Sequence, residues 1–385
     1  MNILLISFVF SPNIGGVESH LDDLTDYLAK QNHNVVVLTY QPIMSYEKTS
    51  FIEHRKNIEI RRLPWIRFLF TKLEKLPILE ILYLVPPILL YTIYYLLSHR
   101  NRTDVIQAHG FNMAIVGAIA SALFRKRLTI NTHVSFYLQK DSLYARVLKL
   151  VLTQAAKILV LTNKAKGELV KIGVDKNKLI IYHQWIDTDL FSPKDRRLAQ
   201  ARCNLPKNAF IILFAGRFIV AKGVDLVLTA ARQFPKDALL VLVGSGELRS
   251  LIEDEAKKNP AIRFVGQVAR EDLPYYYSAS DLCIIPSISA TSTYSEGIPR
   301  VMIEAFSCGT PVAATKTGGV AEMITKDVGF FIEPESKPMA TFIKSLSKEE
   351  EKLRTMSKRC IQYAKEQFDY AKNAAIIERS FFAYE

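Results

Sequence analysis

Cysteine is scarce in this sequence. Cys203, Cys283, Cys308 and Cys360 are scattered through 385 residues, with no metal-ligand spacing and no pairing framework. So few thiols point to a reducing compartment and leave no basis for a disulfide-held scaffold. Histidine is missing altogether from residues 191–385. Carboxylates are outnumbered, 38 against 50 lysines and arginines, for a net charge of +12. That excess points to anionic partners: nucleic acid, a membrane surface or phosphorylated substrates. No zinc-finger, helix-turn-helix or RNP-type motif accompanies it, so nucleic acid is set aside. The opening residues MNILLISF enter a strand pattern directly, with no basic n-region or cleavage site, and no signal peptide is expected.

What is present fits two domains. A chain of 385 residues with 49% hydrophobic content can bury two sizeable cores. Asn2 to Phe8 is an apolar strand-type run. A turn with Gly15-Gly16 and a helical pattern from Val17 to Lys30 follow it. Strand-like runs recur at Val35–Thr39, Ile58–Leu63, Val105–Ala108, Leu128–Asn131, Ile158–Leu161 and Leu179–Tyr182, with helical patterns between most of them. A polar stretch from Pro193 to Pro206 reads as a linker. A second series follows: Ile211–Ala215, Leu239–Val243, Ile262–Val265, Leu282–Ile285, Val312–Ala314 and a short strand near Gly329–Ile332. This alternation predicts an α/β protein with two parallel sheets. The first domain is expected over residues 1–190, completed by helix 368–385, and the second over 191–367.

The segment from Pro286 to Gly319 carries the chemistry. It holds Glu296 and Glu304, with seven residues between them. In one unbroken helix these would lie about 80° apart, so the spacing places Glu296 in a loop and Glu304 in a helix opened by Gly297. The first N–H groups of that helix, over Gly297, Ile298, Pro299, Arg300 and Val301, form an anion site beside two hydroxyl-accepting carboxylates. A nucleotide-diphosphate sugar suits such a layout. Gly216 and Arg217 end the first strand of the second series, and Lys222-Gly223 follows. A guanidinium and an ammonium at one strand end can clamp a diphosphate. Gly244-Ser245-Gly246 is a second close-approach loop, and Gln267-Val268 follows Gly266. In the first domain His109 ends the strand DVIQA, where open α/β sheets bind ligands, and His133 follows the next strand in the same way.

The spacing of Glu296 and Glu304 resembles the E-x7-E motif of retaining GT-B glycosyltransferases of family 4. Gly216-Arg217-Phe218 with Lys222-Gly223, the Gly244 turn, Ser280-Asp281 and Gly318-Gly319 resemble it as well. The loop GGVESH (15–20) is similar to that of family members acting on phosphoinositol lipids. The resemblance implies two Rossmann-like domains facing across a cleft. It implies that Glu296 contacts the donor sugar and Glu304 the ribose. Gly15, Gly16, Gly216, Gly244, Gly246 and Val268 then serve donor binding, Val268 in the loop that passes the nucleobase, with Gly16 and His133 on the acceptor side. His109, Arg217, Lys222 and Glu296 are the expected catalytic group. Retention is implied, with the donor's own phosphate oxygen taking the acceptor proton. No metal or other cofactor is expected, the nucleotide-diphosphate sugar being the co-substrate. Gln184-Trp185 stands where the family writes Asn-Gly. Asp187-Thr188-Asp189 imitates a metal motif but precedes a linker, and reads as a capping turn.

Two other classes stay open: a GT-B nucleotide-sugar 2-epimerase and a non-catalytic nucleotide-sugar-binding subunit. The first would need a histidine in the second domain, which has none; the intact Arg217, Lys222, Glu296 and Glu304 oppose the second. Residues 76–97 are long and apolar enough to raise the question of a transmembrane helix. Glu80 and the Pro86-Pro87 break argue instead for a buried or interfacial helix pair. Arg61, Arg62, Arg67, Lys72, Lys75, Arg100 and Arg102, with Trp65, Phe68, Leu69 and Phe70 among them, predict docking on an anionic membrane. A cytoplasmic, peripheral location on the inner membrane face, with a lipid-linked or phosphate-bearing acceptor, completes the expectation.

Overall fold

The computed structural model describes residues 1–13, 15–43, 47–67, 69, 73, 76–133, 135–136, 142–288, 294–295 and 298–382. The chain divides into two compact units, residues 1–183 with 371–385, and residues 184–370. The first division falls before the expected point at 190 because Gln184, Trp185 and Ile186 are buried and the Trp185 ring packs edge-on against Tyr370.

The first unit is an eight-stranded sheet. Its strands are β1 (Asn2–Ile6), β2 (Asn34–Tyr40), β3 (Ile52–Arg55), β4 (Ile58–Leu63), β5 (Val105–His109), β6 (Arg127–Asn131), β7 (Lys157–Val160) and β8 (Leu179–Ile181). They lie in the order β3-β4-β2-β1-β5-β6-β7-β8. All pairings are parallel except β3 with β4. The sequence reading misses β3, whose alternating exposed and half-buried residues carry no apolar run. Helices α1 (Gly16–Lys30), α2 (Pro77–His99), α3 (Phe111–Phe124), α4 (Leu143–Thr153) and α5 (Asn163–Lys171) connect the strands.

The α2 segment is one helix, not a pair. Pro86 and Pro87 lie inside it. Each lacks the N–H that a helix interior needs, so two hydrogen bonds are lost. The helix continues because Leu84, Ile88 and Leu96 are fully buried, and the Tyr40 hydroxyl donates to the Leu84 carbonyl at 2.6 Å. Glu80 is accommodated by the Asn112 side-chain amide, which donates to its Oε1 at 2.6 Å. Among the described residues, α2 with the turn after it is long and apolar enough to cross a membrane by length and composition. In the fold it packs against β2 and α3.

The second unit is a six-stranded, wholly parallel sheet, in the order β11-β10-β9-β12-β13-β14. These strands are β9 (Phe210–Arg217), β10 (Ala238–Ser245), β11 (Ile262–Gly266), β12 (Leu282–Ile285), β13 (Val312–Ala314) and β14 (Gly329–Phe331). Helices α6 (Arg196–Arg202), α7 (Val224–Ala231), α8 (Arg249–Lys258), α9 (Leu273–Ala279), α10 (Arg300–Ser307), α11 (Val320–Met323), α12 (Ser336–Leu346) and α13 (Glu350–Gln367) flank it. Ile212, Leu240, Val227 and Ile343 sit in its apolar core. Asp281 ties β9 down, its Oδ2 accepting from the Ile211 N–H and from Arg196, both at 2.8 Å. The last helix, α14 (Tyr370–Phe382), returns to the first unit. Glu378 accepts there from the Tyr27 hydroxyl at 3.1 Å and meets His33 Nε2 at 2.8 Å. Phe381 is buried and Phe382 half exposed, while Phe368 and Tyr370 belong to the second unit.

Part of the basic cluster expected to meet a membrane is engaged inside the fold, while Arg100 and Arg102 lie exposed. Arg62 is only 3% exposed. It pairs with Glu53 at 2.8 Å and donates to the Ser11 carbonyl at 2.9 Å. Arg61 pairs with Glu59 and lies over the Tyr95 ring. Trp65 packs between Tyr40 and Tyr83, not into a lipid face. Arg67 donates to the Glu47 carbonyl. Phe68, Phe70, Lys72 and Lys75 lie outside the described residues. The reason is register: β4 alternates, so Arg61 meets Glu59 two residues back on the same strand, while Arg62 meets Glu53 on the antiparallel neighbour β3. We expect Arg62→Ala to cost about 2–3 kcal/mol, because it removes a buried guanidinium that donates to the Ser11 and Ser50 carbonyls and pairs with Glu53, which keeps only Arg55. Arg61→Ala should cost under about 1 kcal/mol. Urea titration of both variants measures this, and equal losses would contradict it.

Candidate active site

In the second unit the site forms where β9 and β10 end. Their pairing runs to the last residue, Gly216 opposite Gly244 and Arg217 opposite Ser245. Gly244 has φ +142°, and a Cβ there would collide with the Gly216 carbonyl oxygen. Glycine alone allows that approach. Lys222 closes a tight helical turn, Val220–Lys222, and Gly223 follows in the left-handed region at φ +68°. A side chain at 223 would run into the Pro286 carbonyl oxygen. The Ile288 N–H also donates to the Ala221 carbonyl at 3.0 Å. The lysine turn is therefore fastened to the segment that leads into the glutamate pair. Arg217 is exposed and Lys222 half-buried.

The helix of the glutamate pair opens later than expected. It is α10, with Pro299 as its N-cap residue, so Gly297 does not start it. A proline fits there, since its φ is already near that of the helix and no N–H is needed. The first-turn N–H groups that point out of the helix thus begin at Arg300 and Val301. Ile298 and Pro299 are buried and Val301 half-buried, so the site can use the backbone of this turn more readily than its apolar side chains. Glu296 and Gly297 lie outside the described residues.

Glu304 sits within α10, and the Tyr277 hydroxyl from α9 donates to its Oε2 at 2.7 Å. Burial pushes the Glu304 carboxyl above its ordinary range, against the pull of Arg300, the Tyr277 hydroxyl and Arg270. The Tyr277 hydroxyl is itself held far up by burial and by Glu304. Arg270 follows Val268 in the loop after β11, which brings the expected nucleobase loop within electrostatic reach of the expected ribose ligand. Tyr277 escapes sequence reading because it stands 27 residues from Glu304 with no motif around it.

In the first unit His109 is the last residue of β5, and His133 lies just past β6. His109 Nδ1 and His133 Nε2 share a hydrogen bond of 2.8 Å between stacked rings. Burial, then the neighbouring ring, holds His109 well below the imidazole range. Burial pushes His133 down to about 3. Both rings are thus neutral near pH 7. His109 Nε2 and His133 Nδ1 have no hydrogen-bond partner among the described residues. In either tautomer of the pair, one of these nitrogens is a donor and the other an acceptor. One donor and one acceptor are thus held side by side in the interior of the unit. His20, from α1, packs edge-on to His133 and beside Tyr182, whose hydroxyl donates to Asn131 Oδ1 at 3.0 Å. His20, Asn131 and Tyr182 are additions; only the GGVESH loop, which ends in His20, marked one of them. Gly15 is the N-cap residue of α1 in extended backbone, and Gly16 opens the helix. A Cβ on Gly15 would strike the Glu18 carboxylate.

Asp187 Oδ1 accepts from the N–H groups of Asp189 and Leu190, both at 3.0 Å, which is a capping turn. Among the described residues, no three histidine, cysteine or acidic side chains come together as a metal site.

Two α/β units of parallel strands, each with its polar cluster at the strand carboxyl ends, define a GT-B architecture. Residues 195–367 match the family model "Glycosyl transferases group 1" and residues 14–190 match "Glycosyltransferase Family 4". Between them the two models take in almost the whole chain, which belongs to these glycosyltransferases. It is similar to the D-inositol 3-phosphate glycosyltransferase of Mycobacterium avium, 33% identical over 178 residues, or 44% of this chain and 41% of that protein. The Mycobacterium leprae protein of the same name is 32% identical over 44% of this chain and 40% of its own length. The chain thus spans about two-fifths of the length of the curated relatives it matches. In fold it is similar to Thermosynechococcus elongatus sucrose-phosphate synthase, with TM-score 0.80, 23% identity and 99% and 98% of the two chains covered. It is also similar to Anabaena HepE in complex with UDP, with TM-score 0.76, 21% identity and full coverage of both chains.

Because burial raises the Glu304 pKa above the unfolded value, ionising it destabilises the folded unit. That cost is absent below pH 4.5 and sets in as pH rises through the folded pKa. Glu304→Gln should therefore raise the melting temperature by about 2–4 °C at pH 7.5, the equivalent of ~1 kcal/mol, and leave it unchanged at pH 4. Calorimetry at both pH values checks the sign.

Proposed function

We propose that this protein transfers a sugar from a nucleotide-diphosphate sugar to a phosphate-bearing, lipid-carried acceptor, with retention of anomeric configuration and without a metal ion. The observation that carries this reading is the second unit's strand-end cluster. The Gly216–Gly244 approach exposes Arg217, the Lys222 turn is fastened to the glutamate segment, and Glu304 is held by Tyr277. A diphosphate fits Arg217 and Lys222, a ribose hydroxyl pair fits Glu304, and Glu296 takes the donor sugar's hydroxyls.

Chemically, the bond from the anomeric carbon to the donor phosphate oxygen breaks, and a bond to an acceptor oxygen forms on the same face. The acceptor proton passes to the departing diphosphate. Charge grows on that diphosphate, and Arg217, Lys222 and the first turn of α10 offset it in place of a metal. The neutral His109–His133 pair grips a hydroxyl without the cost of burying a charge. The names of the inositol-phosphate relatives favour a phosphate-bearing acceptor, and the HepE complex with UDP-glucose makes that donor the first to try. A peripheral place on the cytoplasmic membrane face goes with a lipid-carried acceptor.

The test is release of nucleoside diphosphate from UDP-, GDP- and ADP-sugars, with and without an inositol-phosphate acceptor. No release from any donor would refute the reading. Lys222→Ala should lower kcat by roughly 10²–10³, as removal of one preorganised charge-stabilising group does. Turnover should persist in excess EDTA; abolition, restored by Mg²⁺ or Mn²⁺, would return the Asp187–Asp189 turn to consideration.

A further inference from the structure

One layer of the first unit is apolar on its outside. Helices α2, α3 and α4 join parallel strands that run in one direction along the sheet, so right-handed crossovers place them on the same face. They also pack against one another in sequence. Eleven of the twenty-one large hydrophobics that lie exposed among the described residues fall on these three helices. Leu82, Leu90 and Leu97 on α2 are 62%, 69% and 70% exposed; Leu123 on α3 and Leu143 and Leu150 on α4 are 61%, 77% and 66% exposed. Monomeric proteins rarely leave so continuous an apolar surface in water.

Cations border it. Helices α2 and α3 end at Arg100, Arg102 and Arg125, on the edge where β5 and β6 begin, and Arg146 and Lys149 stand exposed among the leucines of α4. The carboxylates nearby are engaged: Glu80 with Asn112, and Asp104 with the Asn2 N–H at 2.7 Å. The opposite side of α2 is buried in the unit, so the helix is seated in the fold and does not span a bilayer.

We infer that the outer face of α2, α3 and α4 docks this protein on an anionic lipid bilayer, with the leucines in the interface and the cations on the headgroups. Leucine and tyrosine sink to the acyl boundary while arginine and lysine meet phosphates. This replaces the Arg61–Arg67 region as the docking surface. It rests on the reading that the acceptor is carried by a lipid. Helix α4 begins at Leu143 on the strand-end side, where β5 places His109.

The experiment is flotation of the full chain with vesicles of phosphatidylcholine alone or with phosphatidylglycerol. Wild type should float with the anionic vesicles and lose at least about tenfold in binding when Leu82, Leu90 and Leu97 all become Glu. Combined Arg100→Glu, Arg125→Glu and Lys149→Glu should weaken anionic-vesicle binding about tenfold or more. Arg61→Ala should leave it unchanged. Circular dichroism and UDP titration establish that each variant is folded. Should the leucine variant not fold, hydrogen exchange of wild type serves in its place, with α2 and α4 slowed by anionic vesicles. Absence of binding to anionic vesicles, undiminished binding of the leucine variant, or a dimer in sedimentation that the leucine change dissolves while vesicles are ignored would each overturn the inference. Transfer to a water-soluble inositol phosphate is read in parallel. Its loss in wild type strikes the acceptor reading, and loss of flotation strikes the docking face.

Discussion

Parallel strand pairing, carried to the last residue at Gly216 opposite Gly244, is the constraint on which the site depends. In a parallel sheet every connection after a strand emerges at the same edge. Residues distant in sequence are therefore collected there with no motif of their own. Arg217 ends β9 and Lys222 follows it, Val268 follows β11, and Glu304 lies in the helix after β12. Two glycines at the crossing permit the closeness: a Cβ on Gly244 or Gly223 would displace the backbone it faces. Strand pairing supplies the position, and the missing side chains supply the room.

The buried polar groups divide by charge. In the second unit a carboxylate is kept inside the fold by a tyrosine hydroxyl and the field of two arginines. In the first unit two imidazoles bury each other in neutral form. The first arrangement gains when a ligand brings hydroxyl donors. The second gains when a ligand brings a hydroxyl that can both give and accept.

Net charge says little until pairing is known. The +12 of the sequence includes Arg62, sealed inside with Glu53, and Arg61, held by Glu59. What the fold leaves outward on α2, α3 and α4 is a leucine surface with cations at its border. Which charges face outward is thus decided by strand and helix pairing rather than by their count.

Strand periodicity and the glycines after strands were enough to determine, from sequence alone, two α/β units of mostly parallel strands and the strand-end positions of Arg217, Lys222, His109 and His133. Those features are local: a strand's period and a turn's glycine are imposed by backbone geometry within a few residues. Only the tertiary structure decided that Pro86 and Pro87 lie inside one helix, because burial of Leu84 and Ile88 outweighs two missing hydrogen bonds. It alone opened α10 at Arg300, and it brought Tyr277 to Glu304 and His109 to His133. Such contacts arise from strand order and helix packing between residues tens of positions apart. No local periodicity encodes them.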